Sequence, residues 1–195
     1  MNEPECWPKA VSHIERGDIK RAVALCEQEP CSNTVECQRY LGWVYYQEDN
    51  LDKALTWFSR AASQGDGDAL YGIGSLYFVR RDFKLALQYY ERAAERGYAR
   101  AYHWIAYIHH QGLGTTKNID TAAAYYRRSA AQGYLIADRA LLHMMWQGSH
   151  FFQRLAMLPK YLYLVARAAV IAFRNINDPR IADVPNAFEK KARQR

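Results

Sequence analysis

Histidine and cysteine are the residue types in this 195-residue chain best able to hold a metal or act as nucleophiles. His103 and His110 lie seven apart, so on a helix they share a face. His143 would join them if the next helix stacked in register. Three imidazoles make a zinc ligand set, yet chelation needs convergence that helical spacing alone does not secure. The cysteines at 6, 26, 31 and 37 lack the paired spacing of a zinc site. No GxSxG, phosphate-binding loop, HExxH or GxGxxG is present. Gly112-x-Gly114 follows no strand and reads as a hairpin loop. The sequence therefore predicts no catalytic residue, no metal site and no cofactor.

What could still recognise a ligand is aromatic and basic: the chain has 15 Tyr, 5 Trp and a formal net charge of +6. That charge suits nucleic acid, an anionic membrane or an acidic protein. No lysine-rich run precedes the C-terminus, so nucleic acid is not expected. The hydrophobic content of 50% is ample for a buried core. The N-terminus lacks a basic region followed by an apolar run, and no uncharged apolar stretch reaches about 18 residues. A cytoplasmic protein without a membrane-spanning helix is the expectation.

The elements that position these residues repeat. Asp18–Ala22, Asn50–Ala54, Asp82–Ala86 and Asn118–Ala122 align at steps of 32, 32 and 36 residues (50−18, 82−50, 118−82). Each opens with a side-chain oxygen able to accept from a first-turn amide, followed by an apolar residue and, four places on, alanine. The last three strings lead into aromatic pairs: Trp57-Phe58, Tyr89-Tyr90 and Tyr125-Tyr126. Arg60-Ala61-Ala62, Arg92-Ala93-Ala94 and Arg128-Ser129-Ala130 come next, and Gly65, Gly97 and Gly133 close the helices. Each such helix is preceded by another, in which Cys37, Ala69, Ala101 and Ala137 align, as do Tyr45, Tyr77, His109 and Met145. Gly42 and Gly74 inside first helices cost about 1 kcal/mol each against alanine, which predicts close helix contact there. His109 is expected to pack and hydrogen-bond.

The hairpin Ala99–Gly133 resembles a Sel1-like repeat of the tetratricopeptide superfamily. Ile105-Ala106, His109, the loop Gly112-Leu113-Gly114, Asn118, Ala122, Tyr125-Tyr126 and Ala130 to Gly133 carry the resemblance. It implies an all-α fold, a short right-handed α-solenoid of about ten helices in antiparallel hairpins, and a role in binding proteins. The two preceding hairpins lack the long glycine loop and look closer to plain tetratricopeptide turns. The organisation predicted is an array over 1–150: a capping hairpin over 1–31 (Glu5–Arg16 and Asp18–Glu29), repeats over 32–66, 67–98 and 99–134, and a partial repeat over 135–150. A C-terminal helical region over 151–175 and a tail over 176–195 follow.

Carrying the family's groove positions over by alignment gives Arg39, Trp43 and Tyr46, then Tyr71, Ser75 and Phe78. The third repeat contributes His103, Tyr107 and His110, and the last first-helix Arg139, His143 and Trp146. The resemblance thus implies a concave groove in which aromatics anchor an acidic peptide or protein and Arg39 and Arg139 pair with its carboxylates. The alternative packing buries these residues against the C-terminal segment. An alternative function is a membrane-associated accessory protein using 151–174. A metal-dependent enzyme is a third.

Further expectations concern the cysteines and the C-terminal segment. Cys26 and Cys37 occupy repeat positions filled elsewhere by small or apolar residues, so they should pack in the core. Cys6 and Cys31 have no assigned role, and no disulfide is expected without an oxidising compartment. Pro159 should break or kink the helix it interrupts. Beyond it, Leu162, Val165, Ala169 and Phe173 are predicted to cover the array's open flank, with dimerisation and membrane contact as the alternatives for this helix. Lys160, Arg167 and Arg174, seven apart, would then form a basic stripe facing solvent. The sequence does not specify oligomeric state.

Overall fold

A computed structural model describes residues 3–147 and 151–174. The predicted tail over 176–195 lies outside them. The chain folds as ten α-helices with no strand among the described residues. They are α1 (Glu3–Glu15), α2 (Ile19–Glu27), α3 (Val35–Gln47), α4 (Leu51–Ser63), α5 (Gly67–Val79), α6 (Phe83–Glu95), α7 (Ala99–Gln111), α8 (Ile119–Ala131), α9 (Leu135–Gln147) and α10 (Phe151–Arg174). A single 3-10 turn, Cys31–Asn33, joins α2 to α3. Each helix packs chiefly on its neighbours in the chain, as in an α-solenoid.

The repeated strings start the second helices as predicted. Asp18, Asn50, Asp82 and Asn118 accept from the amides of Arg21, Lys53, Leu85 and Thr121 at 3.2, 3.2, 3.1 and 2.9 Å. Each bond satisfies a donor that the first helical turn leaves open. Ala54, Ala86 and Ala122 are fully buried, so neighbouring backbones approach closely. The second aromatic of each pair enters the space this creates. Phe58, Tyr90 and Tyr126 are buried.

Glycines in the facing helix complete the fit. A Cβ on Gly42 would sit 2.5 Å from the Phe58 ring, and one on Gly74 2.7 Å from the Tyr90 ring. The first aromatic of each pair stays half-buried, and an arginine stacks over it. Arg60 lies 4.7 Å above Trp57, Arg92 5.2 Å above Tyr89 and Arg128 5.6 Å above Tyr125. In the longer loop, Gly112 ends α7 in the left-handed region and the amide of Asn118 returns to the carbonyl of His109 at 2.9 Å.

The structure corrects the expectations for the cysteine pair and for the covering face of α10, and it narrows the one for Pro159. Cys6 and Cys31 form a disulfide, both nearly inaccessible, where α1 meets the 3-10 turn. Linear spacing carries no trace of that approach, because it is made by the docking of α1. Pro159 lies inside α10 without ending it. The face of α10 that covers α9 is also not the one predicted. Leu164 is buried with Leu135 and Leu142, with Ala168 packed against them. Leu162, Val165 and Ala169 are exposed instead, and the Phe173 side chain lies outside the described residues.

Candidate partner-binding surface

First helices touch across repeats, α1 with α3 and α3 with α5, whereas no two second helices make more than a marginal contact among the described residues. Over α1 to α5 the first helices therefore adjoin one another. The predicted groove residues lie on the first helices α3, α5, α7 and α9.

The predicted residues on those helices separate into two groups. Tyr46, Tyr71, Ser75, Phe78 and His103 are buried and cannot present contact surface. They belong to an aromatic spine that crosses the repeats. Trp43 packs 5.9 Å from Tyr71, Tyr71 5.6 Å from Tyr90, Tyr90 6.1 Å from Trp104, and Trp104 4.9 Å from Phe78. Hydrogen bonds fix its polar edges: Trp104 Nε1 donates to Tyr71 Oη at 3.1 Å, and Ser75 Oγ to the Tyr71 carbonyl at 2.9 Å. The spine is buried because α5, apolar around most of its surface, lies between repeats. Alignment places these positions on the first helices but does not distinguish accessible side chains from buried ones.

Trp43, Tyr107 and His110 are half-buried, and Arg139, His143 and Trp146 are exposed. Arg39 is half-buried but engaged within the chain. Its guanidinium pairs with Asp66 at 2.8 Å and Asp68 at 3.6 Å, stitching α3 to the start of α5. Asp66 also caps α5, accepting from the Ala69 amide at 2.6 Å, and Tyr98 Oη donates to Asp68 at 2.8 Å. Burial raises the Asp68 carboxyl above its usual range, with the Tyr98 bond and Arg39 opposing it. The carboxylates expected from a partner of Arg39 are thus supplied by the next repeat.

The three histidines do not form one site. His103 sits among Trp104, Tyr126 and Tyr134, with ring centroids 5.3–5.9 Å away. Burial, with a smaller contribution from Arg139, lowers its pKa to about 3, so the ring is neutral. His110 is also shifted downward, by burial and then by the charges of Lys117 and His143. No group of three or more potential ligands converges among the described residues. His109 stacks on Tyr125 with a 1° interplanar angle, but its Nδ1 has no hydrogen-bond partner in the structure.

At the C-terminal end the groove residues meet α10. Arg139 lines a cleft of about 280 Å³ with Leu135, Ile136, Tyr161, Leu164, Val165 and Ala168. His143 and Trp146 line another of about 270 Å³ with Leu142, Met157, Leu158 and Tyr161. Tyr161 divides the two clefts. The sequence reading missed it because nothing in its spacing sets it apart from its apolar neighbours.

Helices of this pattern are what the Sel1 repeat family model describes, and it matches residues 35–66, 67–98 and 99–134. The chain belongs to the Sel1 repeat family. Solved structures share the fold. A Sel1 repeat protein from Oxalobacter formigenes is 24% identical, with a TM-score of 0.59 over 72% of this chain and 61% of that one. The protective antigen c5321 of uropathogenic Escherichia coli strains is 20% identical, with a TM-score of 0.69 over 98% of this chain and 46% of that one. MamA is 19% identical, with a TM-score of 0.60 over 82% and 96% of the two chains. Among curated proteins, DAP3-binding cell death enhancer 1 of Rattus norvegicus is 38% identical over 72 residues. That segment spans 36% of this Sel1 chain and 14% of the rat protein. Sel1 repeats typically serve protein–protein interaction, and proteins built from them are generally non-enzymatic scaffolds.

Proposed function

We propose that this Sel1 array is a non-enzymatic adaptor that binds an acidic peptide or protein segment along its inner helices. Trp43 and Tyr107 supply half-buried aromatic anchors. His110, Arg139 and His143 supply polar and positive groups, and Trp146 closes the row. What supports this reading is that the predicted positions on the first helices divide into buried side chains and accessible aromatic and basic ones. The half-buried Trp43 and Tyr107 lose little side-chain freedom on binding, which favours affinity. Aromatic and arginine side chains are also the types that dominate binding energy at interfaces. Arg39 has no role in this recognition, since Asp66 and Asp68 occupy it.

The test is site-specific photo-crosslinking in cells of the source organism, with the photoreactive residue at Tyr107 or Trp146. Exposed Ser59 on second helix α4 is the control position. Adducts of one defined protein from both inner positions, absent from the control and lost with Arg139→Glu, are expected. Equal adducts from Ser59, or none from either inner position, would overturn the reading.

A further inference from the structure

Six of the ten large apolar side chains exposed among the described residues lie on α10: Leu158, Tyr161, Leu162, Tyr163, Val165 and Val170. Leu162 is 65% exposed and Tyr163 62%. One face of α10, at Leu164 and Ala168, is used against α9. Positions 158, 162, 165 and 169 fall on a second face at helical spacing, beside the first and largely exposed, with Leu158 and Val165 also edging the clefts against α9. Positions 163 and 170 extend that apolar face around the helix. Beside them run positions 160, 167 and 174, all basic. Over its 24 residues α10 carries Arg154, Lys160, Arg167 and Arg174 and no acidic residue.

We propose that α10 is an interfacial helix that lies on an anionic lipid bilayer. Its outward apolar face would enter the boundary between headgroups and acyl chains, and its basic row would contact lipid phosphates. Charge selects this occupant. A second copy of the chain would bring two helices without a single carboxylate against each other, so like charges would oppose the contact. Shape agrees. The exposed side chains form a convex ridge, which a bilayer accepts without a complementary wall. Tyrosines and long basic side chains combine an apolar body with a polar tip, as the interface requires. No helix among the described residues is long and apolar enough to cross a membrane, so the contact is made along the surface.

The experiment is flotation of the full chain with vesicles of phosphatidylcholine alone or mixed with phosphatidylglycerol. Flotation with the mixed vesicles only, falling as salt is raised, is expected. Lys160→Gln with Arg167→Gln should weaken it about thirtyfold, at roughly tenfold per 1.4 kcal/mol and about 1 kcal/mol for each basic side chain near the surface. Leu162→Ser with Val165→Ser should weaken it comparably. Both variants keep residues 175–195 intact, so a loss assigns the binding to α10 and not to the basic tail. Circular dichroism and thermal melting of each variant verify that the fold survives. Because Leu162 and Val165 are more than half exposed, the serine pair tests the idea even if the glutamine pair disturbs packing. Absence of flotation overturns the proposal, as does flotation unchanged in both variants. It is equally overturned if light scattering finds a dimer that Leu162→Ser and Val165→Ser dissociate, or if an acidic protein held on α10 blocks flotation of the natively purified chain.

Discussion

At the scale of single residues, burial decides which side chains carry chemistry. His103 was a groove candidate by alignment, and its neutral, buried ring makes it a pH sensor of stability. Its pKa is lowered to about 3, whereas an unfolded histidine titrates near 6.5. Below about pH 6.5 the unfolded chain binds a proton that the folded chain refuses until about pH 3, by linkage. Its contribution is thus complete above pH 6.5 and declines as pH falls toward 3, by up to about 5 kcal/mol. Urea titrations at pH 7 and pH 4 should show a smaller loss for His103→Phe than for wild type, and parallel losses would remove His103 as the cause. The cysteines make a second case. Cys26 and Cys37 are buried thiols 2.8 Å apart, and the Cys26 thiol lowers the Cys37 pKa to about 7. Cys6 and Cys31 close a loop with a sequence separation of 25. Non-reducing peptide mapping of denatured protein should find that one cross-link and two alkylatable thiols. Cys6→Ser with Cys31→Ser is expected to cost about 3 kcal/mol on loop-closure grounds. An unchanged denaturation midpoint would show that α1 docks without it.

At the scale of the element, the repeat's grammar was almost fully readable. Caps, alanines, aromatics and closing glycines recur at fixed offsets, and each does locally what its chemistry dictates. Gly74 was legible for the same reason, since a helix tolerates an interior glycine chiefly where another side chain needs the space. Gly74→Ala gains about 1 kcal/mol of helix propensity. The new Cβ would meet the Tyr90 ring, which is held in place by packing against Tyr71 and Trp104 and by a 3.3 Å bond from its hydroxyl to Ser75. Overpacking of this kind costs about 1–3 kcal/mol, so the net effect should be a loss, read as a lower urea midpoint. A rise in stability would mean that the ring can move aside. What the sequence did not reveal were contacts between elements. Arg39 finds Asp66 and Asp68 across repeats, Cys6 finds Cys31 across the capping hairpin, and α10 turns Leu164 inward where Leu162 and Val165 were expected. Each depends on how two helices are rotated against each other. Periodicity defines the faces of a helix, but on one as broadly apolar as α10 it does not say which face meets the neighbour.

At the scale of the whole molecule, the core is graded along the array. One continuous cluster runs from Cys6 on α1 to Ile108 on α7, and it contains the aromatic spine. A smaller cluster joins α7, α8 and α9 through Ala106, Ala122, Tyr126, Ala137 and Leu141. The contact of α9 with α10 rests on Leu135, Leu142 and Leu164, with Ala168 beside them. In a solenoid, stability is a sum of repeat and nearest-neighbour interface terms, so each region opens at a cost set by its own interfaces. Amide exchange should therefore be slowest in α5 and α7, intermediate in α8 and fastest in α10, since the clusters shrink in that order. Leu164→Ala removes the most buried apolar side chain described on α10 and should speed exchange in α10 and the facing turns of α9. It should leave α3 to α6 unchanged, because no shared cluster links them to that end. Uniform acceleration along the chain would mean that the array unfolds as one cooperative unit and that the α9–α10 contact supports it throughout. The graded outcome instead leaves α10 free to change its covering without disturbing the aromatic spine. Vesicles added to the same exchange measurement then distinguish the two ends: α10 should gain protection while α5 and α7 keep theirs.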